Sequence, residues 1–501
     1  MKRKSRLYYN TTIALFNQII VLICNFILPQ QIILYYGSST NGLVTSISQF
    51  LGFIVLMDMG VGAVVRSSLY KPLADNDVDE ISRITKSARN FYNKIGVALL
   101  VYIVVLCFIY PQIISASFDY EYVVPLIVAI SVSSIAQYFF GIVNQLLLDA
   151  DQRSYIQLLL NSIALVLNTV ISVILMRLGA TIQFVKFAAA VVLLIKPFGM
   201  LLFVNSHYTI NKKIKIDREP IAQKWNGLAQ HIAAYVLSNT DVVVLTFFSN
   251  MKNVSIYNVY YLVAAGVRQC ITTMMTGVDA LFGNLYAKKS NNLNNTFNVY
   301  EWIIHFGVSF VFSVTAVLIC PFIRVYTHGV QDANYIMPMF GVLITAAFGF
   351  YSIRLPYNTM VLAAGHYKQT QTSAFIEAGL NIVISIVFVK KYGIYGVAIG
   401  TLIAMVYRTI YLAYYLKRAI LYRKFSYFVK HMVVDAVSVL IIYFTTRCLL
   451  HEVSDYIEWI LLAIQVSCMA LVEVVLINLL FYKEEMLHGI SIIKKVLKKY
   501  E

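Results

Sequence analysis

Five ionisable residues lie inside apolar stretches of the second half of this sequence, where charge is costly. A charge at the middle of a membrane helix costs about 2.5–3.5 kcal/mol on insertion scales, so it needs a partner or a wet cavity. Arginine suits phosphate by charge and by bidentate geometry. Carboxylates suit sugar hydroxyls or a cation. The five residues are Asp241, Arg268, Asp279, Arg354 and Glu377.

Polar side chains recur at helical spacing on two neighbouring apolar stretches, residues 227–248 and 255–285. Steps of four and seven residues return to nearly the same direction on a helix, so each set shares one face. Together they predict a polar wall that contains a fixed cation. The two sets are His231, Tyr235 and Asn239, and then Tyr261, Arg268, Thr272 and Asp279.

The first half of the chain offers uncharged polar groups at the matching places. Gln18 and Asn25 lie on its first apolar stretch and Gln49 on its second, and all three are candidate ligand contacts. Asn25 aligns with Asn239 across an internal repeat. That recurrence favours interhelical hydrogen bonds at these two positions.

A simpler interpretation is that the buried charges only neutralise one another. In that case Arg268 would pair with Asp279, and Arg354 would pair with Asp241. Neither arginine would then be available to bind a ligand.

Three further charged residues, Asp58, Lys196 and Arg408, are candidates for a gating or structural role. Lys196 and Arg408 occupy corresponding places about two turns from the ends of two apolar stretches. Long basic side chains there can extend to the membrane interface, and their duplication favours a structural role. Asp58 lies near the end of its own stretch, nine residues after Gln49, and therefore points to the opposite side of the helix.

The composition indicates an integral membrane protein, whose helices must position these polar and charged residues. The chain has 501 residues, of which 59% are hydrophobic and 13% charged, and its mean hydropathy is +0.72. A soluble domain carries far more charge. Because a helix needs about 20 apolar residues to cross the hydrocarbon, we predict an all-α fold with about fourteen transmembrane helices. They lie near residues 11–35, 43–65, 95–118, 122–147, 155–178, 181–204, 227–248, 255–285, 300–326, 333–362, 369–389, 393–416, 430–450 and 457–482.

The net charge of +16 is distributed as in a membrane protein rather than a nucleic-acid-binding one. Basic clusters precede the first span, separate spans six and seven, follow span twelve and end the chain. If the spans alternate, all four clusters fall on one side, which is the positive-inside pattern. Lys390 and Lys391 are the exception. We therefore predict a multi-pass protein of the cell membrane with both termini in the cytoplasm.

The sequence contains none of the common cofactor motifs. The six cysteines fall inside predicted spans with no CxxC spacing, the histidines form no HxxxH pair, and there is no GxxxxGK[ST] loop. We expect no cofactor and no metal. The loops are too short for an enzyme domain, so we expect no enzymatic activity.

The chain is duplicated in parallel. Gly60–Val65 recurs as Gly277–Phe282, and Asn168–Ile174 recurs as Asn381–Val387, at similar offsets. Duplicated helical halves with a site at the repeat interface are typical of secondary transporters. The predicted parts are an N-terminal six-helix lobe (1–210), a second six-helix lobe (211–420), an additional helix pair (421–483) and a basic amphipathic cytoplasmic tail (484–501).

Three short segments carry motifs that can be compared with known families. They are the "YG…NGL" segment Tyr36–Leu43, the "D-x-G" that begins at Asp58, and the turn Leu146–Arg153 with its echo Leu362–Lys368. They resemble the outer turn, the inner end of span two and the inner turns of the Wzx-type polysaccharide flippases of the multidrug/oligosaccharidyl-lipid/polysaccharide (MOP) superfamily. The resemblance covers essentially the whole chain.

The resemblance implies two lobes in a V, with spans one, two, seven and eight lining a central cationic cavity. It implies alternating-access transport of undecaprenyl-diphosphate-linked oligosaccharide from the cytoplasmic to the outer leaflet, for cell-surface polysaccharide. Arg268 falls on a lining span, whereas Arg354 does not. The partners expected are this lipid-linked oligosaccharide, membrane lipid and a polysaccharide polymerase or export machinery. We expect a monomer and no nucleic acid.

Two rival functions remain. A drug or cation antiporter of the same superfamily would favour acidic cavity groups over Arg268 and would take a small hydrophobic substrate. If the flippase instead couples transport to a proton or a sodium ion, Asp241 and Asp279 are the candidate coupling residues. A membrane glycan polymerase or glycosyltransferase would need catalytic carboxylates or arginines in sizeable outer loops, and the loops here are short.

Overall fold

The computed structural model of the protein describes residues 3–58, 60–211, 213–214, 228–275 and 278–487. Every regular element in these ranges is a helix, which confirms the predicted all-α membrane fold. Helices satisfy all their interior backbone groups internally, as a chain in hydrocarbon must.

The N-terminal half forms eight α-helices. A short 3₁₀ segment follows α1, and a π-helical turn joins α4 to α5. The helices are α1 (Arg3–Gly52), α2 (Val61–Asp75), α3 (Val78–Ile113), α4 (Tyr120–Ala136), α5 (Ile142–Ala150), α6 (Ser154–Arg177), α7 (Ile182–Leu193) and α8 (Ile195–His207).

The C-terminal half forms ten more within the described ranges. The predicted amphipathic tail lies largely beyond them, since residues 488–501 are outside the described residues. The helices are α9 (Leu228–Phe248), α10 (Met251–Met274), α11 (Val278–Ala287), α12 (Leu293–Tyr326), α13 (Pro338–Ile353), α14 (Leu355–Ala363), α15 (Tyr367–Tyr392), α16 (Ile394–Ala419), α17 (Ser426–Thr446) and α18 (Tyr456–Phe481).

The helical segment that includes α1 is long enough for two membrane crossings. Its apolar part, Tyr9–Met57, has 49 residues. As a straight helix it would be about 74 Å long, more than twice the roughly 30 Å hydrocarbon core. It turns at Gly37, whose φ of 83° and ψ of 166° are available to glycine and strained for other residues. The first two predicted spans therefore meet at a turn of one residue.

Eleven helical segments of the described chain, including this one, are long and apolar enough to span a membrane. Predicted span seven corresponds to α9, whose apolar part is the shorter helix Asn239–Phe248. Predicted span eight corresponds to α10 and α11, which carry more polar residues. All fourteen predicted spans thus fall on helices.

Two predicted spans are shorter than expected because their helices break. The span predicted at 43–65 ends at Gly52, and a new helix starts after Gly60, which has a φ of 89°. The span predicted at 255–285 ends at Met274, and α11 begins at Val278. The repeated sequence motif at Gly60 thus marks a helix break; its echo, Gly277, lies outside the described residues.

The chain forms two compact units. The first is Met1–Tyr235 with Asn250–Ser255, and the second is Val236–Ser249 with Ile256–Glu501. In the first, α1 packs on α6, and α4 packs on α3 and α7. In the second, α16 packs on α13 and α15, while α12 packs on α13, α17 and α18. The predicted lobe boundaries stay predictions.

Close backbone approach fixes one contact of the first unit, and it gives a test of the fold. A methyl group at Gly42 of α1 would overlap the backbone carbonyl of Met251. We expect Gly42→Ala to lower the free energy of unfolding by about 1–3 kcal/mol, as overpacking does. SDS titration of the purified protein in mixed micelles measures this.

The matched control is Gly307→Ala on α12, where a methyl group meets no atom within 4 Å. Alanine there should be neutral or stabilise by up to about 1 kcal/mol, because it restricts the unfolded chain. Equal effects of the two substitutions would contradict the close packing at Gly42.

Candidate functional site

A buried carboxylate on α15 organises the cationic part of the second unit. Glu377 bonds to Arg354, which lies between α13 and α14, and its other oxygen is 3.7 Å from Arg408 Nε on α16. Arg408 also donates to the Thr370 carbonyl oxygen at 2.9 Å and to Ser373 Oγ. The arginines are held inside the helix bundle because each has an acceptor.

An aromatic ring joins this cluster to the arginine on α10. The guanidinium carbon of Arg354 is 4.1 Å from the Tyr351 ring centroid, and that of Arg268 is 4.8 Å from the same centroid. Arg268 also lies 5.2 Å from the Phe348 ring. Cation–π contacts of this kind attract an arginine without neutralising it.

Arg268 differs from the other two arginines in its electrostatic partners. Among the described residues no carboxylate lies within 4.0 Å of it, whereas Arg354 and Arg408 both face Glu377. Its side chain is half-buried and forms a hydrogen bond with Tyr261, about two turns earlier on α10. The guanidinium donors that Tyr261 does not take are available to an anionic ligand.

A second buried carboxylate, Asp241 on α9, has neutral partners only. Tyr257 and Thr401 donate to its Oδ2, each at 2.7 Å, and Asn381 Nδ2 donates to its Oδ1 at 3.2 Å. Asp241 is 3% exposed. No cationic side chain of the described chain lies within 4.0 Å of it. The expected pair between Asp241 and Arg354 does not form, because Arg354 pairs with Glu377.

The cluster around Asp241 contains one buried oxygen atom that has no donor in the described chain, Asn381 Oδ1. The Val397 carbonyl accepts from Ser385 Oγ at 3.4 Å and lies 3.1 Å from Thr401 Oγ1. Carboxylate, amide, hydroxyl and carbonyl oxygens are the ligands that hard cations prefer. The structure thus brings Asp241 into a set of groups able to hold such a cation.

The predicted stripe on α10 is only partly continuous. Tyr261, Arg268 and Thr272 lie on this helix, and Tyr261 is 5.9 Å from the Tyr257 ring. Asp279 lies beyond the break, exposed in the first turn of α11. The steps of seven and four residues therefore do not extend to Asp279, and its expected pair with Arg268 does not form.

The remaining predicted contacts lie on α1 and α9. Asn25 is exposed, and Gln18, Gln49 and Asn239 are half-buried. The side chain of His231 lies outside what the structure describes. Gln18, Asn25 and Gln49 belong to the first unit, whereas Asn239 and the arginine cluster belong to the second.

The first unit has a cavity of about 790 Å³ inside its own helix bundle. Asp58 and Lys196, expected to be gating or structural residues, both line it together with Arg66. Burial raises the pKa of Asp58 to about 6. Arg66 approaches Asp149 at 4.0 Å, which is too long for a hydrogen bond.

A buried polar network on α12, α14 and α17 was not predicted. His305 Nδ1 lies 2.5 Å from Asp435 Oδ2, and Nε2 lies 2.9 Å from the Tyr357 hydroxyl. Tyr357 donates to Glu301 at 2.7 Å, and Arg423 pairs with Glu301. The network ties the helix pair α17–α18 to α12. Its signal in the sequence is three ionisable residues inside predicted spans.

Solved structures with the same fold are membrane transporters. The lipid II flippase MurJ, in an inward closed conformation, is 17% identical over 96% of this chain and 100% of that chain, with a TM-score of 0.72. The MATE multidrug transporter DinF-BH, in complex with R6G, is 15% identical over 83% of this chain and 95% of that chain, with a TM-score of 0.58. No protein-family profile and no curated protein sequence match the chain.

A third structure connects this fold to the superfamily. It is a multidrug resistance MATE family transporter of the MOP superfamily, outward-facing, 12% identical over 79% of this chain and 93% of that chain, with a TM-score of 0.51. At these identities the likeness establishes the fold alone. The protein is a multi-pass membrane protein that shares the fold of the MurJ and MATE transporter structures.

The shared carboxylate gives a direct test of the cluster. Glu377→Gln would leave Arg354 and Arg408 buried without a counter-charge. We expect a loss of about 3–5 kcal/mol in the free energy of unfolding, the usual cost of breaking a buried ion pair. SDS titration in mixed micelles measures it. Glu452→Gln is the control, because Glu452 pairs with Arg324 at the surface and is 87% exposed. A similar loss in both variants would contradict the role of Glu377.

Proposed function

We propose that this protein is a flippase that moves polyprenyl-diphosphate-linked oligosaccharide from the cytoplasmic to the outer leaflet by alternating access. The oligosaccharide would serve cell-surface polysaccharide synthesis, with a polymerase or export machinery downstream. In this proposal the protein acts as a monomer in the inner membrane, with both termini in the cytoplasm. The protein does no covalent chemistry; it binds, shields and releases the polar head.

The observation that carries the proposal is that Arg268 has no carboxylate partner among the described residues. Its fork of donors has no carboxylate within 4.0 Å in the described chain, and two aromatic rings hold it in place. A diphosphate offers the paired oxygens that this fork binds in a bidentate manner. Arg354 is held by Glu377, so its part is to keep Tyr351 and Arg268 in position.

The membrane potential supplies a driving force for this substrate. Moving one charge across 100 mV is worth about 2.3 kcal/mol. A diphosphate head carries negative charge outward across a membrane that is negative inside. Its export is therefore favourable if no cation accompanies it.

Asp241 is the proposed place for a coupling cation. Its carboxylate, the free Oδ1 of Asn381 and the Val397 carbonyl offer oxygen ligands in a site nearly closed to solvent. Oxygen donors without thiolate or imidazole suit Na⁺ or a proton better than a transition metal. Asp279, the other residue considered for this role, is exposed on α11.

One observation favours a drug or cation antiporter instead. Asp241 has no cationic neighbour within 4.0 Å in the described chain, and the fold is shared with MATE transporters. An organic cation would be attracted to such a carboxylate. It would be repelled by Arg268, which is why the flippase is the first proposal.

Arg268→Ala tests the flippase directly. Proteoliposomes would carry a fluorescent polyprenyl-diphosphate oligosaccharide, and a membrane-impermeant glycosidase would report the glycan on the outer leaflet. We expect protein-dependent transfer that falls about tenfold or more in Arg268→Ala, since charge-assisted bonds to phosphate are worth about 1.5–3 kcal/mol. Arg268→Lys should keep part of the activity, because the charge remains.

The control is Arg324→Ala, which removes an exposed arginine of the second unit and should leave transfer unchanged. Transfer that survives in Arg268→Ala would remove Arg268 from the substrate site. Absence of transfer by the wild type, together with export of an organic cation such as a rhodamine dye, would support the antiporter and overturn the flippase.

Asp241→Asn tests the coupling site. We expect NaCl to raise the thermal unfolding midpoint of the wild type relative to KCl, because a cation that binds only the folded state stabilises it by RT ln(1 + [L]/Kd). Asp241→Asn should lose this difference and the dependence of transfer on an ion gradient. Asp279→Asn is the control. A sodium effect that persists in Asp241→Asn would contradict the site. If no sodium effect occurs, a response of transfer to a proton gradient, lost in the same variant, identifies the proton as the cation.

A further inference from the structure

The cavity of the first unit has the size and lining of a small-molecule site. Its volume of about 790 Å³ falls within the ~300–1,000 Å³ typical of such sites. Apolar and polar side chains line it in similar numbers. The polar ones include Asp58, Arg66, Gln137, Gln145, Asn161 and Lys196.

Two cations, Arg66 and Lys196, face this cavity, and no carboxylate of the described residues forms a hydrogen bond with either of them. Arg66 Nη1 lies 4.0 Å from Asp149 Oδ2, beyond hydrogen-bond range. The other oxygen of Asp149 is occupied by Ser154 Oγ at 2.6 Å and Gln157 Nε2 at 2.8 Å. Lys196 interacts with Asp149 through charge alone. A carboxylate or phosphate that enters the cavity would therefore gain two unoccupied cationic donors.

The side-chain amides that line the cavity keep both hydrogen-bond donors and hydrogen-bond acceptors for a polyhydroxylated ligand. Gln137 Nε2 donates to Gln145 Oε1 at 3.3 Å, so Gln137 Oε1 and the Gln145 NH₂ group remain. Asn161 donates to Asn17 at 2.9 Å, which leaves its own carbonyl oxygen. Gln137 opens the π-helical turn Gln137–Gly141. Turns of this kind recur at functional sites because they redirect side chains.

We propose that this cavity is a second binding site, which takes an acidic sugar residue of the transported oligosaccharide. The sugar's anionic group contacts Arg66 and Lys196, its hydroxyls contact Gln137, Gln145 and Asn161, and Tyr138 flanks the ring. This inference rests on the proposed function, since it names a sugar class within that substrate. It is independent of Arg268, which belongs to the other unit.

Asp58 makes the site sensitive to pH. Tyr92, Tyr138 and Arg66 face it from α3, the π-helical turn and α2. Near pH 7.5 the ionised Asp58 offsets one cation of the cavity, and below its pKa of about 6 it becomes neutral. An acidic sugar with a fully ionised carboxylate should therefore bind more tightly as the pH falls through this value.

The test is saturation-transfer difference NMR of glucuronate with the full-length protein in nanodiscs, with glucose as the neutral probe. We expect glucuronate to bind and glucose to bind at least about tenfold more weakly. Arg66→Gln and Lys196→Gln should each weaken glucuronate binding about tenfold, and Lys196→Arg should retain it. Arg83→Gln is the matched control and should bind as the wild type does, because Arg83 is a half-buried arginine of the same unit that pairs with Glu80 and does not line the cavity.

Glucuronate binding is also measured at about pH 7.5 and about pH 5.5, where a sugar carboxylate stays ionised, to detect the contribution of Asp58. Binding should strengthen at the lower pH in the wild type and stay constant in Asp58→Asn. Equal binding of glucose and glucuronate, or unchanged binding in both Arg66→Gln and Lys196→Gln, would overturn the site. Transfer of lipid-linked glycan without glucuronate binding would end this inference alone, whereas glucuronate binding without any transfer would end the proposed flippase.

Discussion

The physical constraint that shapes this protein is the cost of an unpaired charge among apolar helices. Glu377 neutralises two arginines at once, and this shared carboxylate links the middle of α15 to the middle of α16 and to the end of α13. Because water is scarce in such an interior, each ion pair needs further hydrogen bonds to offset desolvation. The Thr370 carbonyl and Ser373 supply them for Arg408.

The same constraint separates two classes of buried ionisable residue. Arg354, Arg408 and Arg423 each have a carboxylate and serve the packing of the second unit. Arg268 has aromatic rings in place of a carboxylate, and Asp241 has hydroxyl and amide donors in place of a cation. The charges of this second class are not neutralised by an opposite charge of the described residues, so they can still attract a charged ligand. Such groups are expected at sites that exchange a charged ligand.

Much of the fold was predictable because hydropathy reports directly on membrane helices. The lengths of the apolar stretches located the helices, and the glycine of the Tyr36–Leu43 segment lies at the turn within α1. The site was less predictable. The partner of Arg354 lies 23 residues away, at no helical spacing from it, so only the fold of α13 to α15 could bring the two together.

Other differences have equally specific causes. The prediction that Asp279 shares a face with Arg268 required one continuous helix. The helix breaks before Val278, so Asp279 does not lie on that face. The partners His305 and Asp435 are 130 residues apart, so no local pattern links them. Lys196 was expected to extend to the interface, yet it lines a cavity with Arg66 and Asp58. Sequence patterns give the direction of a side chain on its helix, but not what the neighbouring helix places opposite.

The turn at Gly37 has a consequence for how the chain is made. Two crossings joined by a single glycine enter the bilayer as one hairpin, because neither arm can be separated from the other by an aqueous loop. The polar groups carried across with the tip are few: Ser38, Thr40 and Asn41 are all buried, and Thr40 already bonds to the Tyr36 carbonyl oxygen at 2.9 Å. We therefore expect the first two helices to insert into the membrane together, and a side chain at Gly37, whose φ of 83° favours glycine, to hinder that step.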